Sequence, residues 1–421
     1  MKYDEDWSCA ETTGIRAADF LQESRSDSDA IDLAIEEAER TGIRSLLLDG
    51  RTWILDRAVE VPSDFHVVVD GVKVKTADRV YDNLFRPRGV ICRPEDPFGF
   101  PARIDISRQI RIQGVHGAVL EGPDVHPRMW NPVACEEQDM IGDIWGWRGF
   151  LILMTRCIGF EISGFRVRKT RTWAISVERS SDGLIRDLDF LTTCRNGDGV
   201  NLRVGCSRIR IENISGSTAD DTVAVNSGAS PMEYPYSPME HPYRQYVFPL
   251  IPSDYLRREG EPIEERFIHD VEIRGIRTRG YCPAVAFLSN AGHKITRVSI
   301  RDVFDLNPVS PPRRIYMVGL YYTDYGSGFR EGDVSEISID HVVSKSAEQA
   351  VIFRLPVRNL SISHVIQKCL EGVVLLAMKD NICTPLPDCL SISGRMTAPA
   401  EDWAFREEEW RFLPCFDQQE K

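Results

Sequence analysis

Short apolar stretches with residue-by-residue alternation recur along most of the chain and predict a β-rich fold. From about residue 104 onward, apolar residues stand at alternate positions and a polar or glycine-containing turn follows each stretch. The clearest examples are Ile158-Phe160-Ile162, Ile209-Ile211-Ile214, Val271-Ile273-Ile276, Val298-Ile300-Val303 and Leu360-Ile362-Val365. Such alternation is typical of strands with one buried face.

One helix is predicted before these strands, over residues 29–42. Ala30, Ile31 and Ala34 begin a run of apolar residues at helical spacing. Ser26 or Ser28 is available as the N-cap, and Gly42 stands just past the end.

A second set of strands lies between the alternating stretches and repeats at a nearly constant step. Val200 to Val223 is a step of 23 residues, and Val351 to Val373 is a step of 22. A period of this size indicates a solenoid, because one coil cannot bury its own apolar face and stacking can. Leucine-rich repeats share the period, but their L-x-x-L-x-L signature is missing here. We therefore predict an all-β fold, a single-stranded right-handed parallel β-helix with the N-terminal helix capping its open end.

The repeat predicts one domain over residues 1–421, since elongated repeat folds escape the usual relation between length and domain number. Residues 229–266 interrupt it with proline, tyrosine and charge. We interpret them as a long inserted loop on the binding face; a protomer contact or a variable excursion is the alternative. Residues 403–421 are predicted to be a C-terminal extension.

Composition and charge exclude some partners. The net charge of −13 argues against nucleic acid and does not favour an acidic membrane surface. No stretch of about 18 apolar residues predicts a membrane span. The acidic start, residues 1–7, has no apolar signal core, which predicts a cytoplasmic protein. The eleven cysteines are scattered without a CxxC pair, so we expect them to be reduced and mostly buried.

Three aspartates carry the strongest chemical signal. Asp198 and Asp221 are separated by the coil step of 23, which predicts that they stack on adjacent coils about 4.8 Å apart, with Asp220 beside them. Crowded carboxylates raise at least one pKa, and such a cluster can supply the acid and the base of glycoside hydrolysis. A solvated Asp-Gly turn and a Ca²⁺ site are the alternatives.

Residues 150–228 resemble glycoside hydrolase family 28, the polygalacturonase-like, pectin-lyase-like β-helix enzymes. The motifs that carry the resemblance are Phe150-Leu-Ile-Leu153, Thr172-Trp-Ala-Ile175, Asn196-Gly-Asp198, Asp220-Asp221 and Val225-Asn-Ser-Gly228. The resemblance implies an inverting hydrolase without a metal or organic cofactor. It also implies that Asp220 is the general acid, that Asp198 and Asp221 hold and deprotonate the attacking water, and that Asn196 orients them.

Two motifs of family 28 are missing. Its His-Gly is replaced by the stretch 280–286, which has no histidine, and its Arg-x-Lys pair by the stretch 317–322, which has no basic residue. We expect Tyr321 or Tyr322 to stack on a sugar face instead. Arg354, one coil further, is a candidate replacement for the basic pair, although a structural arginine is the alternative.

Two further aromatic residues, Trp147 and Tyr281, are candidate sugar contacts, because aromatic rings often stack on sugars. With Asn196, Tyr322 and Arg354 they complete the predicted substrate-binding set.

The sequence thus predicts an inverting, exo-acting glycoside hydrolase that cleaves pectin-like or other oligosaccharides. A non-catalytic carbohydrate-binding β-helix and a β-helix polysaccharide lyase are the alternatives. The lyase would need a lysine or arginine base beside the aspartates, and the neighbouring sequence offers none. The oligosaccharide is the only predicted partner, and a homo-oligomer is compatible with the fold.

Overall fold

The structure, a computed structural model, describes residues 14–93, 101–131, 135–142, 146–228, 252, 262–322, 329–355, 357–377, 379–380, 390–393 and 412–413. Within these ranges it contains one α-helix, and no helix there is long and apolar enough to cross a membrane. Short 3₁₀ helices lie at Ala17–Phe20, Trp147–Gly149 and Ile263–Arg266.

The helix α1 spans Asp27–Thr41 and caps the first coils. The hydroxyl of Ser26 accepts a hydrogen bond from the Asp29 amide at 3.2 Å, and Gly42 ends the helix with a φ of 77°. The helix therefore begins two residues earlier than predicted, because Ser26 is the N-cap. Its apolar face, which includes Ile31 and Ile35, is buried against the core.

The described residues form 32 strands, most of them short. In the first half of the chain these are β1 Ile15–Arg16, β2 Ser45–Leu48, β3 Trp53–Leu55, β4 Val59–Val61, β5 Phe65–Asp70, β6 Lys73–Thr76, β7 Phe85–Pro87, β8 Val90–Ile91, β9 Arg103–Ile104, β10 Ser107–Val115, β11 Val119–Glu121, β12 Arg128–Asn131, β13 Glu136–Asp139, β14 Ile152–Thr155, β15 Cys157–Ser163, β16 Arg166–Arg168, β17 Ile175–Glu178, β18 Ser181–Leu191 and β19 Val200–Leu202. The second half contributes β20 Ser207–Ser217, β21 Val223–Asn226, β22 Ile268–Arg279, β23 Val285–Ser289, β24 Ile295–Asp305, β25 Arg314–Tyr322, β26 Val334–Ser344, β27 Ala347–Phe353, β28 Val357–Gln367, β29 Val373–Ala377, β30 Lys379–Asp380, β31 Leu390–Ser393 and β32 Phe412–Leu413.

Two long parallel sheets organise these strands into a right-handed parallel β-helix, as predicted. The larger sheet follows the path β1-β2-β5-β10-β15-β18-β20-β22-β24-β26-β28-β31, and the second follows β4-β7-β14-β17-β19-β21-β23-β25-β27-β29. Each coil therefore gives one strand to each sheet, and neighbouring coils pair in parallel.

The larger sheet bends along a column of residues in the left-handed backbone region. Asp187, Asn213, Gly275, Asp302 and His341 occupy the same level on successive coils, each with φ between 55° and 68°. Glycine, asparagine, aspartate and histidine are the residue types enriched in that region. The polar residue inside each long strand is thus the point at which the coil changes direction.

The apolar core fills the interior of the solenoid. In the second sheet, Val200, Val223, Val285, Val318 and Val351 lie level on successive coils and all are fully buried. One continuous cluster of buried residues runs from Ala17 to Leu375. Alternate residues of the same strands point outward, and this outward face carries the site described below.

Some predicted features lie at or beyond the limits of the described residues. Of the predicted loop 229–266, the structure describes only residue 252 and residues 262–266; of the predicted extension 403–421, only residues 412–413. Seven cysteines fall within the described ranges and all are free thiols, of which Cys157, Cys194, Cys206 and Cys369 are buried.

Candidate active site

The parallel register of β19 and β21 brings two of the three aspartates to one level. Val200 pairs with Val223, and the Gly199 amide donates to the Asp221 carbonyl at 2.9 Å. Asp198 and Asp221 therefore lie level on adjacent coils, as the step of 23 residues predicts.

Glycines on both sides of Asp198 let the chain pass close to neighbouring backbone. A Cβ on Gly199 would lie 2.5 Å from the Thr222 carbonyl oxygen, and one on Gly197 2.6 Å from the Cys194 carbonyl oxygen. Asn196 begins the turn with a φ of 53°, which asparagine tolerates better than most residues. The Asn-Gly-Asp-Gly sequence thus forms the tight turn that carries Asp198 into β19.

A threonine that the sequence did not single out joins the two turns that hold the aspartates. The Thr192 hydroxyl donates to the Gly197 carbonyl and accepts from the Ala219 amide, the latter at 2.9 Å. One turn leads into Asp198 and the other into Asp220, so this buried side chain fixes their relative position.

The three carboxylates have unequal surroundings. Asp198 and Asp221 are 5% and 8% exposed, whereas Asp220 is half-buried. Asp220 Oδ1 accepts from the Asp221 amide at 3.0 Å. Asp198 Oδ2 accepts from Asn201 Nδ2 at 2.7 Å, while Asp198 Oδ1 is buried with no hydrogen-bond partner in the described part of the chain. Asp198 thus has one oxygen fixed by the protein and one available to a ligand.

Burial and mutual repulsion raise the pKa of two of these carboxyls. Burial raises the pKa of Asp198 well above 3.8, and the charges of Asp220 and Asp221 raise it further; the Asn201 hydrogen bond and the Arg203 charge oppose this. Burial and the charge of Asp220 likewise raise the pKa of Asp221. The cluster therefore retains a proton at a pH at which an ordinary aspartate is ionised.

Asp221→Asn should make the protein more stable at neutral pH. A raised pKa in the folded state means that unfolding free energy falls as pH rises from 3.8 to the folded pKa and stays lowered above it. Removing this buried charge should raise the unfolding temperature at pH 7 by about 1–4 °C. Below the unfolded pKa, where the wild-type carboxyl is protonated in both states, the gain should disappear.

Thermal scans of both proteins from pH 3 to pH 8 check this expectation. Asp64→Asn, at an exposed position in the turn before β5, is the matched control and should give no comparable gain. An unfolding temperature for Asp221→Asn below that of the wild type at pH 7 would contradict it.

Comparison with known proteins supports the chemistry that this geometry suggests. Residues 96–234, which contain all three aspartates, match the sequence model of glycosyl hydrolases family 28. Over these residues the chain resembles the glycosyl hydrolases of family 28, and it is identified as a glycoside hydrolase. No curated protein matches it in sequence.

Several solved structures are similar to the chain at low sequence identity. One is a hyperthermoactive exopolygalacturonase from Thermotoga maritima, with 14% identity, coverage of 91% of this chain and 87% of that chain, and a TM-score of 0.49. A family 28 exopolygalacturonase from Yersinia enterocolitica shows 12% identity, 96% and 78% coverage, and a TM-score of 0.43. A mutant tailspike protein of E. coli bacteriophage HK620 in complex with hexasaccharide shows 11% identity, 87% and 59% coverage, and a TM-score of 0.49.

The two stretches that depart from family 28 both lie beside the aspartates. Cys282, in the stretch without histidine, is close enough for the charges of Asp220 and Asp221 to help burial raise its pKa to about 12. Its neighbour Tyr281 is 70% exposed, at the rim of the site and available to a ligand. Its predicted sugar contact remains a prediction.

The stretch without the basic pair contributes aromatic rings. Tyr316 and Tyr321 stack with ring centroids 4.9 Å apart, and the Arg354 guanidinium lies over the Tyr321 ring at 5.0 Å. Arg354 is half-buried beside these rings, and its role as a replacement for the basic pair stays a prediction. The side chain of Tyr322 lies outside the described part of the chain, whereas Tyr321 stands on the outward face of β25.

One predicted sugar contact is wrong. Trp147 is 1% exposed and packs with Phe150, Leu153 and Trp173 in a buried cluster. The guanidinium groups of Arg86 and Arg148 cover its ring at 5.8 and 5.0 Å. The ring is therefore enclosed by protein groups and has a packing role.

Among the described residues, no group of three or more histidine, cysteine, aspartate or glutamate side chains is arranged to hold a metal ion.

Proposed function

We propose that the protein is an inverting, exo-acting hydrolase of pectin-like or related oligosaccharides in the cytoplasm. The observation that carries the proposal is the buried carboxylate cluster within the family 28 match, where Asp198 and Asp221 lie level and Asp220 stands at their edge. Two carboxyl groups with opposite protonation are what glycoside hydrolysis requires.

The proposed reaction assigns one role to each carboxyl. Asp220, the least buried, gives its proton to the glycosidic oxygen as the C–O bond to the anomeric carbon breaks. Asp198 and Asp221 hold a water, and the free Oδ1 of Asp198 takes its proton as the oxygen attacks the anomeric carbon. Attack from the face opposite the leaving group inverts the anomeric configuration.

The protonation states set the pH range of this reaction. Because the pKa values of Asp198 and Asp221 are raised, the base is ionised only at a higher pH than an ordinary aspartate would need. The activity should therefore be lost at mildly acidic pH.

Exo action is proposed from the position of the insertion. Residues 229–266 follow directly after Gly228, at the end of the strand that begins two residues after Asp221. This place in the chain, directly after the coil that carries Asp220 and Asp221, is what supports exo action.

The test is reducing-end release from a panel of oligosaccharides: galacturonides, rhamnogalacturonides, and neutral arabinose-, galactose- or rhamnose-containing fragments. Proton NMR of the first product should show the anomeric configuration opposite to that of the substrate, and products should come from one chain end. A product with a C4–C5 double bond would indicate a lyase. Binding without cleavage would favour the carbohydrate-binding β-helix.

A further inference from the structure

Tyr316 lies in the same outward row as the catalytic aspartates. Val223, Val285 and Val318 are level on successive coils. Asp221 stands two residues before Val223, and Tyr316 stands two residues before Val318. The residue between them in this row is Pro283, whose small side chain leaves room for a long side chain from the next coil.

The Tyr316 ring is held firmly on three sides. It packs against Ala286, on the coil between Tyr316 and Asp221, and against Ile352 on the following coil. One face of the ring stacks on Tyr321, and the guanidinium of Arg354 lies over the Tyr321 ring. The side chain is 8% exposed, so its position is fixed by packing.

Gly319 makes this ring position accessible. A Cβ at Gly319 would lie 2.4 Å from Cε2 of Tyr316, so any larger residue there must displace the ring. Gly319 and Tyr321 are the two outward positions in the stretch that lacks basic residues. The Tyr316 ring therefore covers β25 at Gly319, in the space that a long side chain at residue 319 would fill.

Tyr316 lies close enough to Asp220 and Asp221 for their charges to act on its hydroxyl. Burial raises its pKa well above 10, and the charges of Asp221, Tyr321 and Asp220 add to the effect, while Arg354 opposes it. The hydroxyl therefore keeps its proton across the working pH range. No hydrogen bond from it to another described side chain or backbone group occurs, so the proton is available to a ligand.

We propose that the Tyr316 hydroxyl donates a hydrogen bond to an uncharged oxygen of the sugar bound at Asp220 and Asp221, and that Gly319 sets its position. The proposal rests on the proposed hydrolase function and adds a specificity-determining residue to it. A hydroxyl held in one place selects a sugar oxygen at this point by geometry, since a site built to bond one oxygen discriminates against sugars that lack it.

Two single variants separate the hydroxyl from the ring. Tyr316→Phe removes the donor and keeps the packing, and Gly319→Ala keeps the donor and displaces the ring. Each should lower kcat/KM about 10–100-fold on the panel oligosaccharide that the wild type cleaves. The unfolding temperature of Tyr316→Phe should stay close to that of the wild type, whereas Gly319→Ala should lower it because the packed ring must shift. The positions of the acidic and basic limbs of the pH profile should not move for Tyr316→Phe.

A double variant tests the link between the two positions. If Gly319→Ala acts by displacing the ring, it should have no further effect on kcat/KM when Tyr316 is already leucine. Unchanged kcat/KM for Tyr316→Phe, activity lost only in step with the unfolding temperature, or an additive effect of Gly319→Ala in the leucine background would each overturn the proposal.

Calorimetric titration keeps this test independent of turnover. The same panel oligosaccharides are titrated into the protein carrying Asp220→Asn, with and without Tyr316→Phe. Weaker binding with Tyr316→Phe supports the hydroxyl contact even if none of the panel is hydrolysed, whereas equal binding overturns it. Failure of every panel oligosaccharide to bind would overturn both this proposal and the proposed function.

Discussion

Replacing Asp220 with asparagine should lower the rate of glycoside hydrolysis by about 10²–10⁴-fold, the contribution of a positioned general acid. The amide has nearly the shape of the carboxyl but no proton to give to the glycosidic oxygen. The contact between Asp220 Oδ1 and the Asp221 amide can be retained by the asparagine carbonyl, so the turn should remain folded. The measurement is the initial rate of reducing-end release on the cleaved panel oligosaccharide.

The leaving group supplies a sharper control for the same variant. A p-nitrophenyl glycoside of the same sugar releases an acidic phenol that departs without full protonation, so Asp220→Asn should impair it far less than the oligosaccharide. Asp64→Asn, which removes one exposed carboxylate from the turn before β5, should leave both rates unchanged. Equal losses on both substrates would show that Asp220 is not the acid and would transfer that role to Asp198 or Asp221.

The fold can be predicted from the sequence because the repeat shows itself over a short stretch of the chain. A step of 23 residues is visible in the sequence, and the register of β19 with β21 follows it residue by residue. The cap helix was found from its spacing, but its start was missed by two residues because Ser26 and Ser28 offer equivalent capping side chains. Only the backbone distinguishes them, since Ser26 is extended and Ser28 is already helical.

The site was predictable to the extent that it follows from the same register. Asp198 and Asp221 were placed together by the coil step, whereas Tyr316 was missed, although it also stands two residues before an aligned valine. Tyr316 is found when the register is applied to every coil, and not only to the two coils that carry Asp198 and Asp221. The error at Trp147 has a different origin, because its burial depends on Arg86 from an earlier coil, which no spacing rule connects to it.

Gly164→Ala should cause a large loss of stability although it adds a single methyl group outside the site. Gly164 has a φ of 81°, and a Cβ there would lie 1.9 Å from the Gly114 carbonyl oxygen of the preceding coil. The Cβ is fixed to one backbone and the oxygen belongs to the other, so the clash cannot be relieved without separating the two coils. The unfavourable φ and the backbone clash together should cost about 3–5 kcal/mol of unfolding free energy. Urea unfolding followed by fluorescence measures the change in midpoint.

Gly117→Ala separates the two causes. Gly117 has almost the same backbone conformation, with a φ of 85°, but a Cβ there meets nothing within 4 Å. The Gly117→Ala variant should lose only about 1–2 kcal/mol of unfolding free energy, which is the cost of an alanine in the left-handed backbone region. If the two variants unfolded at the same urea concentration, the close approach of the coils at Gly114 and Gly164 would contribute nothing. A larger loss of unfolding free energy for Gly164→Ala than for Gly117→Ala would show that the close approach of two backbones requires glycine at residue 164. Turn conformation alone would then not explain the requirement.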